Sequence, residues 1–355
     1  MTASSEHALI RVENLTKAFG SRVVVDDISF TVERGEVLGF LGPNGAGKST
    51  AIRMLTGFMF PTAGRVTIGG HDMGRHPIAA KRLIGYLPED AAGYPDMTVH
   101  AFLEFMAEAR GLRDGAKQHA VDRVVDLCQL PSVLYQTIGT LSKGYKHRTA
   151  LAQALLHDPP VLILDEPTDG LDPNQKHDVR NLIRRMGAGK AIVLTTHILE
   201  EVEAMCSRVI VIDRGRIVAD DTPAALRARS RLAGAVHVLV RGVHAATLCR
   251  LLTAAPGAKS VEILNDADGR IEARVYPLQP AGTRLSGTVA AIATREGWQL
   301  DEIHTEEGRL EDVFRNITLP DTATANVDPW RLRSRSASCC DANPHAQAAT
   351  VHVAR

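Results

Sequence analysis

The hydrophobic and polar positions change rhythm along the chain. Between residues 9 and 86, short runs rich in β-branched residues, Arg22–Val25, Ile28–Val32, Val37–Phe40 and Arg65–Ile68, are cut by turn signals such as Glu33-Arg34-Gly35 and Ile68-Gly69-Gly70, which predicts a strand-rich region. From residue 97 the period lengthens. Val99, Phe102, Leu103 and Met106 recur at helical spacing, and Val121, Val124, Val125 and Cys128 repeat the pattern, so residues 97–157 are predicted mostly helical. Val161–Leu164 and Ile192–Leu194 are apolar throughout, with a helical segment around 174–187 between them. Continuous apolar strands alternating with helices predict a parallel sheet covered on both faces. Val209–Ile212 then leads into the hairpin-like Asp213-Arg214-Gly215-Arg216.

A helix from Pro223 runs into the basic stretch Arg227, Arg229, Arg231, read as a linker, and a second rhythm begins near residue 233. It is strand (235–240), helix (243–254), strand (259–264), a turn over Asn265–Gly269, strand (270–276), helix (283–296) and strand (299–304). That βαββαβ order predicts a small α+β ferredoxin-like domain over 233–318. Residues 320–355 are polar and aperiodic, which predicts a disordered tail. Cys339, Cys340, His345 and His352 in that tail are ligand types suited to copper or zinc, but adjacent cysteines without loop spacing match no structural zinc pattern, and the plain tail is preferred.

Composition narrows the class. The 355 residues are 45% hydrophobic and 23% charged, the balance of a globular chain of about two domains. Lys plus Arg number 41 and Asp plus Glu 41, so no bulk positive field points to nucleic acid, and none is expected as a partner. No apolar stretch reaches the roughly 18 residues of a membrane span, and the start lacks the basic and apolar regions of a signal peptide. The expectation is a cytoplasmic chain with reduced thiols, since the five cysteines form no CxxC pair.

Gly42-Pro43-Asn44-Gly45-Ala46-Gly47-Lys48-Ser49 satisfies G-x-x-x-x-G-K-[ST] between the strand Val37–Phe40 and a helix through Arg53 to Leu55. Its glycines let backbone N–H groups approach phosphate oxygens at a helix N-terminus; Lys48 would reach the β- and γ-phosphates and the Ser49 hydroxyl would ligate Mg²⁺. Asp165 and Glu166 follow an apolar strand at the end where ligands of α/β sheets bind, Asp165 suited to holding Mg²⁺ and Glu166 to polarising the attacking water. Thr195-Thr196-His197 ends the next strand in the same way; a lone histidine is more often structural, and its shared sheet edge is what makes it a γ-phosphate sensor candidate.

With Leu141-Ser142-Lys143-Gly144-Tyr145, Asp165-Glu166-Pro167-Thr168, Gly170-Leu171-Asp172 and His197 in this order behind the phosphate loop, residues 8–226 resemble the ATP-binding subunit of an ABC transporter. The resemblance implies an α/β P-loop NTPase cassette: a RecA-like parallel sheet with an antiparallel β subdomain and a helical subdomain. It implies ATP and Mg²⁺ as ligands, with Thr50 joining the loop from Gly42 to Ser49 in binding nucleotide. Phe19 would stack on adenine, and Asp172 would couple two sites. Glu166 and His197 would be catalytic, and Ser142 and Gly144 would meet the γ-phosphate across a homodimer. A separate integral membrane permease would be the other partner, placing the chain peripherally on the cytoplasmic face of the inner membrane. Together with Leu310-Glu311-Asp312-Val313-Phe314, the motifs are most similar to the ABC-2 type exporter branch, which includes gliding-motility, copper-processing and multidrug subunits.

Three positions depart from the family pattern: Lys143 stands for the usual glycine, Tyr145 for the usual glutamine, and Glu89 occupies the Q-loop position, where it could bind Mg²⁺ or water but cannot donate as an amide does. The rival reading is an ABC-family ATPase acting on ribosomes or DNA. Those relatives usually carry two cassettes or a long coiled-coil insert, whereas the stretch between Lys48 and Lys143 holds no sustained heptads.

Overall fold

A computed structural model describes residues 8–90, 93–279 and 285–318, and the chain divides into two compact units, Met1–Ala224 and Ala225–Arg355. The tail reading, with Cys339, Cys340, His345 and His352, lies outside the described residues.

The first unit opens with β1 (Ala8–Phe19), β2 (Arg22–Glu33), β3 (Val37–Leu41), α1 (Lys48–Leu55), β4 (Ala63–Ile68), β5 (His71–Asp72), α2 (Pro77–Arg82) and β6 (Ile84–Leu87). A helical stretch follows, α3 (Val99–Ala109), α4 (Asp114–Leu127) and α5 (Lys143–Leu155). The unit then alternates through β7 (Val161–Asp165), α6 (Pro173–Gly187), β8 (Ala191–Thr196), α7 (Leu199–Met205), β9 (Arg208–Asp213) and β10 (Arg216–Asp221). β9, β3, β8, β7 and β6 form a parallel sheet in that spatial order, with β10 antiparallel at its edge. Every residue of β3, β7 and β8 is buried, as expected of parallel strands covered on both faces. A second, antiparallel sheet runs β2-β1-β4-β5. Its buried residues Ile10, Leu15 and Phe30 share one core with Phe40, Ile52 and Leu55, the Phe30 and Phe40 rings lying 5.4 Å apart.

One strand reads as two in the sequence. Arg22–Val25 and Ile28–Val32 belong to the single strand β2, whose register against β1 shifts around Asp27, held at φ 52°. The bulge reverses the in-out alternation, and a period-two reading stops there.

The division between units falls inside α8 (Pro223–Arg227). The second unit continues with β11 (Val236–Arg241), α9 (Ala245–Thr253), β12 (Ala258–Ala267), β13 (Arg270–Pro277), α10 (Leu285–Arg295), β14 (Gln299–Thr305) and α11 (Leu310–Ile317). Its sheet is antiparallel in the order β12-β13-β11-β14, the ferredoxin-like arrangement. Leu248 and Leu252 of α9 and Val289 and Ile292 of α10 pack on Val236, Val238, Val240, Ile271 and Val275. The hairpin turn is tighter than the sequence suggests: Asp268 and Gly269, at φ 54° and 70°, connect β12 and β13 by themselves. The basic stretch read as a linker is instead packed into this unit, with Leu226 and Ser230 buried and the Ser230 hydroxyl donating to Asp312 Oδ2 at 3.2 Å. Two buried positions among exposed arginines make too sparse a pattern to read by periodicity.

Candidate functional site

The loop between β3 and α1 is shaped by close approach. A Cβ on Gly42 would lie 2.4 Å from the Ile212 carbonyl oxygen, so only glycine fits, and Gly47 caps α1 in the left-handed region at φ 107°. Lys48 is buried, and its Nζ donates to the carbonyls of Gly42 at 2.7 Å and Pro43 at 3.2 Å. The ammonium therefore stays hydrogen-bonded inside the loop, poised for an anion. Burial draws the Lys48 pKa below its ordinary value, against the opposing pull of the Glu166, Asp165 and Glu89 carboxylates.

β3, β8 and β7 are neighbours and parallel, so their carboxyl ends share one edge. Asp165 pairs with Thr195 in register, and the Thr195 hydroxyl donates to Asp165 Oδ1 while accepting the Glu166 N–H at 3.0 Å. Burial raises the Asp165 pKa, offset in part by that hydrogen bond and by Arg53 and Lys48. Glu166 is held in the left-handed region at φ 48°, a conformation that costs of order 1 kcal/mol or more in a non-glycine residue and is seen where structure over-determines it. Its two carboxylate oxygens each lie 3.1 Å from His197 Nδ1. His197 itself is half exposed and Glu166 nearly buried.

A cleft of about 320 Å³ is lined by Phe19, Arg22, Val24, Asn44, Gly45, Gly47, Lys48, Ser49, Thr50, Glu89 and Glu166. Phe19, in the lining of this cleft, is 50% exposed, with Lys17 Nζ 5.2 Å from its ring centroid. Gly42 and Pro43 contribute through the carbonyls that hold Lys48, Asp165 through Thr195, and His197 through Glu166.

Ser142, Gly144 and Asp172 do not line this cleft; they form a cluster of their own. The Ser142 hydroxyl caps α5 by accepting the Tyr145 N–H at 3.4 Å, and Asp172 caps α6 by accepting the Gln175 N–H at 2.9 Å. Gly144 lies against the end of the Gln175 side chain, which brings the starts of α5 and α6 together. Lys143 crosses the same gap, its Nζ 3.0 Å from Asp169 Oδ2 and packed over Gly170. The substitution of glycine by Lys143 thus adds an exposed ion pair rather than blocking the Ser142 end of the helix.

Arg22, Val24 and the orienting role of Thr195 escape sequence reasoning. Arg22 and Val24 reach the cleft only because β2 folds back over the loop, and no local motif marks them; Thr195 was legible only as a polar residue ending an apolar strand.

The ABC transporter family profile matches residues 25–169. The linearmycin resistance ATP-binding protein of Bacillus subtilis is 33% identical over 87% of this chain and 98% of its own length. The Nod factor export ATP-binding protein I of Burkholderia lata is 37% identical over 88% of this chain and 97% of its own. Among solved structures, the ATP-binding subunit of an ABC transporter superposes with a TM-score of 0.58 at 32% identity, covering 62% of this chain and 92% of that one. With a phosphate loop, two strand-end carboxylates and relatives that match almost end to end, the chain belongs to the ATP-binding, ATP-hydrolysing subunits of ABC transporters.

Proposed function

We propose that two copies of this chain close around two ATP molecules, each held between the phosphate loop of one copy and the Ser142 end of α5 in the other, and that this closure drives a separate membrane permease in export. The observation that carries the reading is the separation of parts. The cleft holds Lys48, Ser49, Glu89, Glu166 and Phe19, while Ser142, Gly144 and Asp172 sit outside it at helix N-termini with anion-binding character. A single chain then owns only part of a triphosphate site, and a second copy supplies the remainder.

In this mechanism Lys48 leaves the Gly42 and Pro43 carbonyls for the phosphates. Phe19 stacks on the base, and Asn44, Gly45, Ala46, Gly47 and Thr50 bind the phosphates mainly through backbone N–H groups. Glu166 orients the attacking water and takes its proton, and His197, already beside both Glu166 oxygens, holds the γ-phosphate end. Asp172 relays closure between the two sites. The donor set fits Mg²⁺: Ser49, Asp165 and Glu89 are hard oxygen ligands, and the buried Asp165 carboxylate, its pKa raised, gains from a nearby cation. Held by Ser49, Asp165 and Glu89, Mg²⁺ would supply charge neutralisation of the phosphates.

The export direction and the linkage to a permease draw on the near full-length relatives, whose names state resistance and export. No helix among the described residues is long and apolar enough to cross a membrane, so a membrane-spanning path would come from the partner, with this chain held at the cytoplasmic face of the membrane.

The test is complementation. Lys48→Ala and Ser142→Glu chains should each be inactive alone, and mixing them should restore about a quarter of wild-type turnover, because random pairing makes half of the dimers mixed, with one complete site of two. Glu166→Gln should lower turnover about 10²-fold or more and accumulate as an ATP-bound dimer by light scattering. No rescue on mixing, together with a Glu166→Gln chain that stays monomeric in ATP, would overturn the shared site. Tagged chain recovered from membranes should bring a multi-span protein with it; recovery with ribosomes or DNA alone would favour the rival reading.

A further inference from the structure

In the second unit α9 and α10 pack on one face of the sheet, and the alternate residues of β11 and β14 set His237 directly opposite His304. The two imidazoles stack with centroids 4.7 Å apart and planes 25° from parallel. Glu302, two residues before His304 on the same strand, joins them, and one donor atom from each of His237, Glu302 and His304 lies within 4.8 Å of the others.

Protonation logic fixes what His237 offers. Its Nε2 lies 2.9 Å from Glu272 Oε1, a hydrogen bond in which the ring Nε2–H donates to the carboxylate oxygen. Its Nδ1 is buried and has no hydrogen-bond partner. That tautomer puts the Nδ1 lone pair opposite a carboxylate on the other nitrogen, which is the arrangement metal-binding histidines use. His304 Nδ1 and Glu302 Oε1 lie 3.0 Å apart, close to the spacing of two ligands on one small cation.

We propose that His237, His304 and Glu302 form a binding site for a borderline divalent transition metal, Zn²⁺ or a similar ion, on the open face of this sheet, with Glu272 as the positioning carboxylate. Two imidazoles and one carboxylate select against Mg²⁺, which prefers all-oxygen sites, so this ion is chemically distinct from the one beside ATP. His304 and Glu302 are half exposed, which gives the ion a path in and leaves room for water as a fourth ligand.

The experiment titrates ZnCl₂ into chelator-treated full-length protein by calorimetry, in excess Mg²⁺ and on a Cys339→Ser/Cys340→Ser background so that the tail thiols do not compete. One equivalent should bind with micromolar or tighter affinity. His304→Ala and Glu302→Gln, both at half-exposed positions, should weaken it at least about tenfold while leaving the thermal midpoint in chelator unchanged. Glu272→Gln, which removes no ligand, should weaken it less, and Co²⁺ bound in place of zinc should show ligand-field absorption without a thiolate charge-transfer band. Absence of stoichiometric zinc binding, or binding that His304→Ala and Glu302→Gln leave unchanged, overturns the proposal.

Discussion

Two of this chain's sheets, the mostly parallel one of the first unit and the antiparallel one of the second, place polar groups in opposite ways. In the first unit every residue of β7 and β8 is buried, and the polar side chains Asp165, Thr195 and Thr196 occur only at the strand ends. In the second unit β11 alternates strictly, with Val236, Val238 and Val240 buried and His237, Leu239 and Arg241 half-buried. A parallel sheet covered on both faces offers only its carboxyl edge for chemistry, so its reactive groups converge at one line. An antiparallel sheet covered on one face offers the other as a surface, where side chains meet across strands as in Arg241–Asp301 and His237–Glu272. One architecture concentrates charge around a substrate; the other spreads it in pairs.

The largest effect that could break this contrast comes from the convergent edge. Lys48→Ala should cost about 10²- to 10³-fold or more in ATP turnover, because it removes the buried, desolvated cation held inside the phosphate loop, while the unfolding transition read by the buried Trp298 of the second unit should not move. A shift in that transition would mean the edge and the open-faced sheet are energetically one. Next come the cores. Leu164→Ala and Leu252→Ala each empty a fully buried site and should each cost about 2–5 kcal/mol, measured by denaturant titration. Only Leu164→Ala, one residue before Asp165, should also lower turnover per folded chain; equal losses of activity would erase the contrast between the two sheets.

A third effect is set by pH. His157, whose Nε2 lies 3.1 Å from the Ile84 carbonyl, is pushed down to about 4, chiefly by burial and secondly by the Arg110 guanidinium. Below the ordinary histidine range the unfolded chain therefore binds a proton that the folded chain refuses, so stability falls as pH drops from about 6.5 toward 4 and is unaffected by this group above neutrality. His157→Gln should flatten that decline in urea unfolding at pH 7, 6 and 5; an unchanged slope would assign the acid sensitivity elsewhere. The smallest effect belongs to Lys143→Gly. Its ion pair with Asp169 joins side chains 67% and 52% exposed, and such pairs contribute about 0–1 kcal/mol, so the midpoint of thermal unfolding should barely change. A large loss would show that the Ser142 end of α5 depends on this bridge.

Much of the fold was readable because its signals are local. Apolar runs marked β3, β7, β8 and β9, and helical spacing marked α3 and α4; the same local logic failed at β2, where Asp27 interrupts the alternation, and at Leu226 and Ser230, too sparse to register as a buried face. The phosphate loop is legible for the same reason, since its glycines and Lys48 act within eight consecutive residues whose spacing is itself the function.

Sequence alone therefore determined the phosphate loop of this chain, its two rhythms of secondary structure and the strand-end carboxylates, because each rests on backbone geometry over a few residues, while the catalytic class came from the order of motifs that resembles a known family. Tertiary structure alone decided that Phe19 and Arg22 face Lys48, that Thr195 ties Asp165 to Glu166, that Ser142 stands outside the cleft, and that His237 meets His304 across a sheet. Those pairings depend on strand order and register, which are set by burying the whole apolar surface at once and leave no mark on any short stretch of residues.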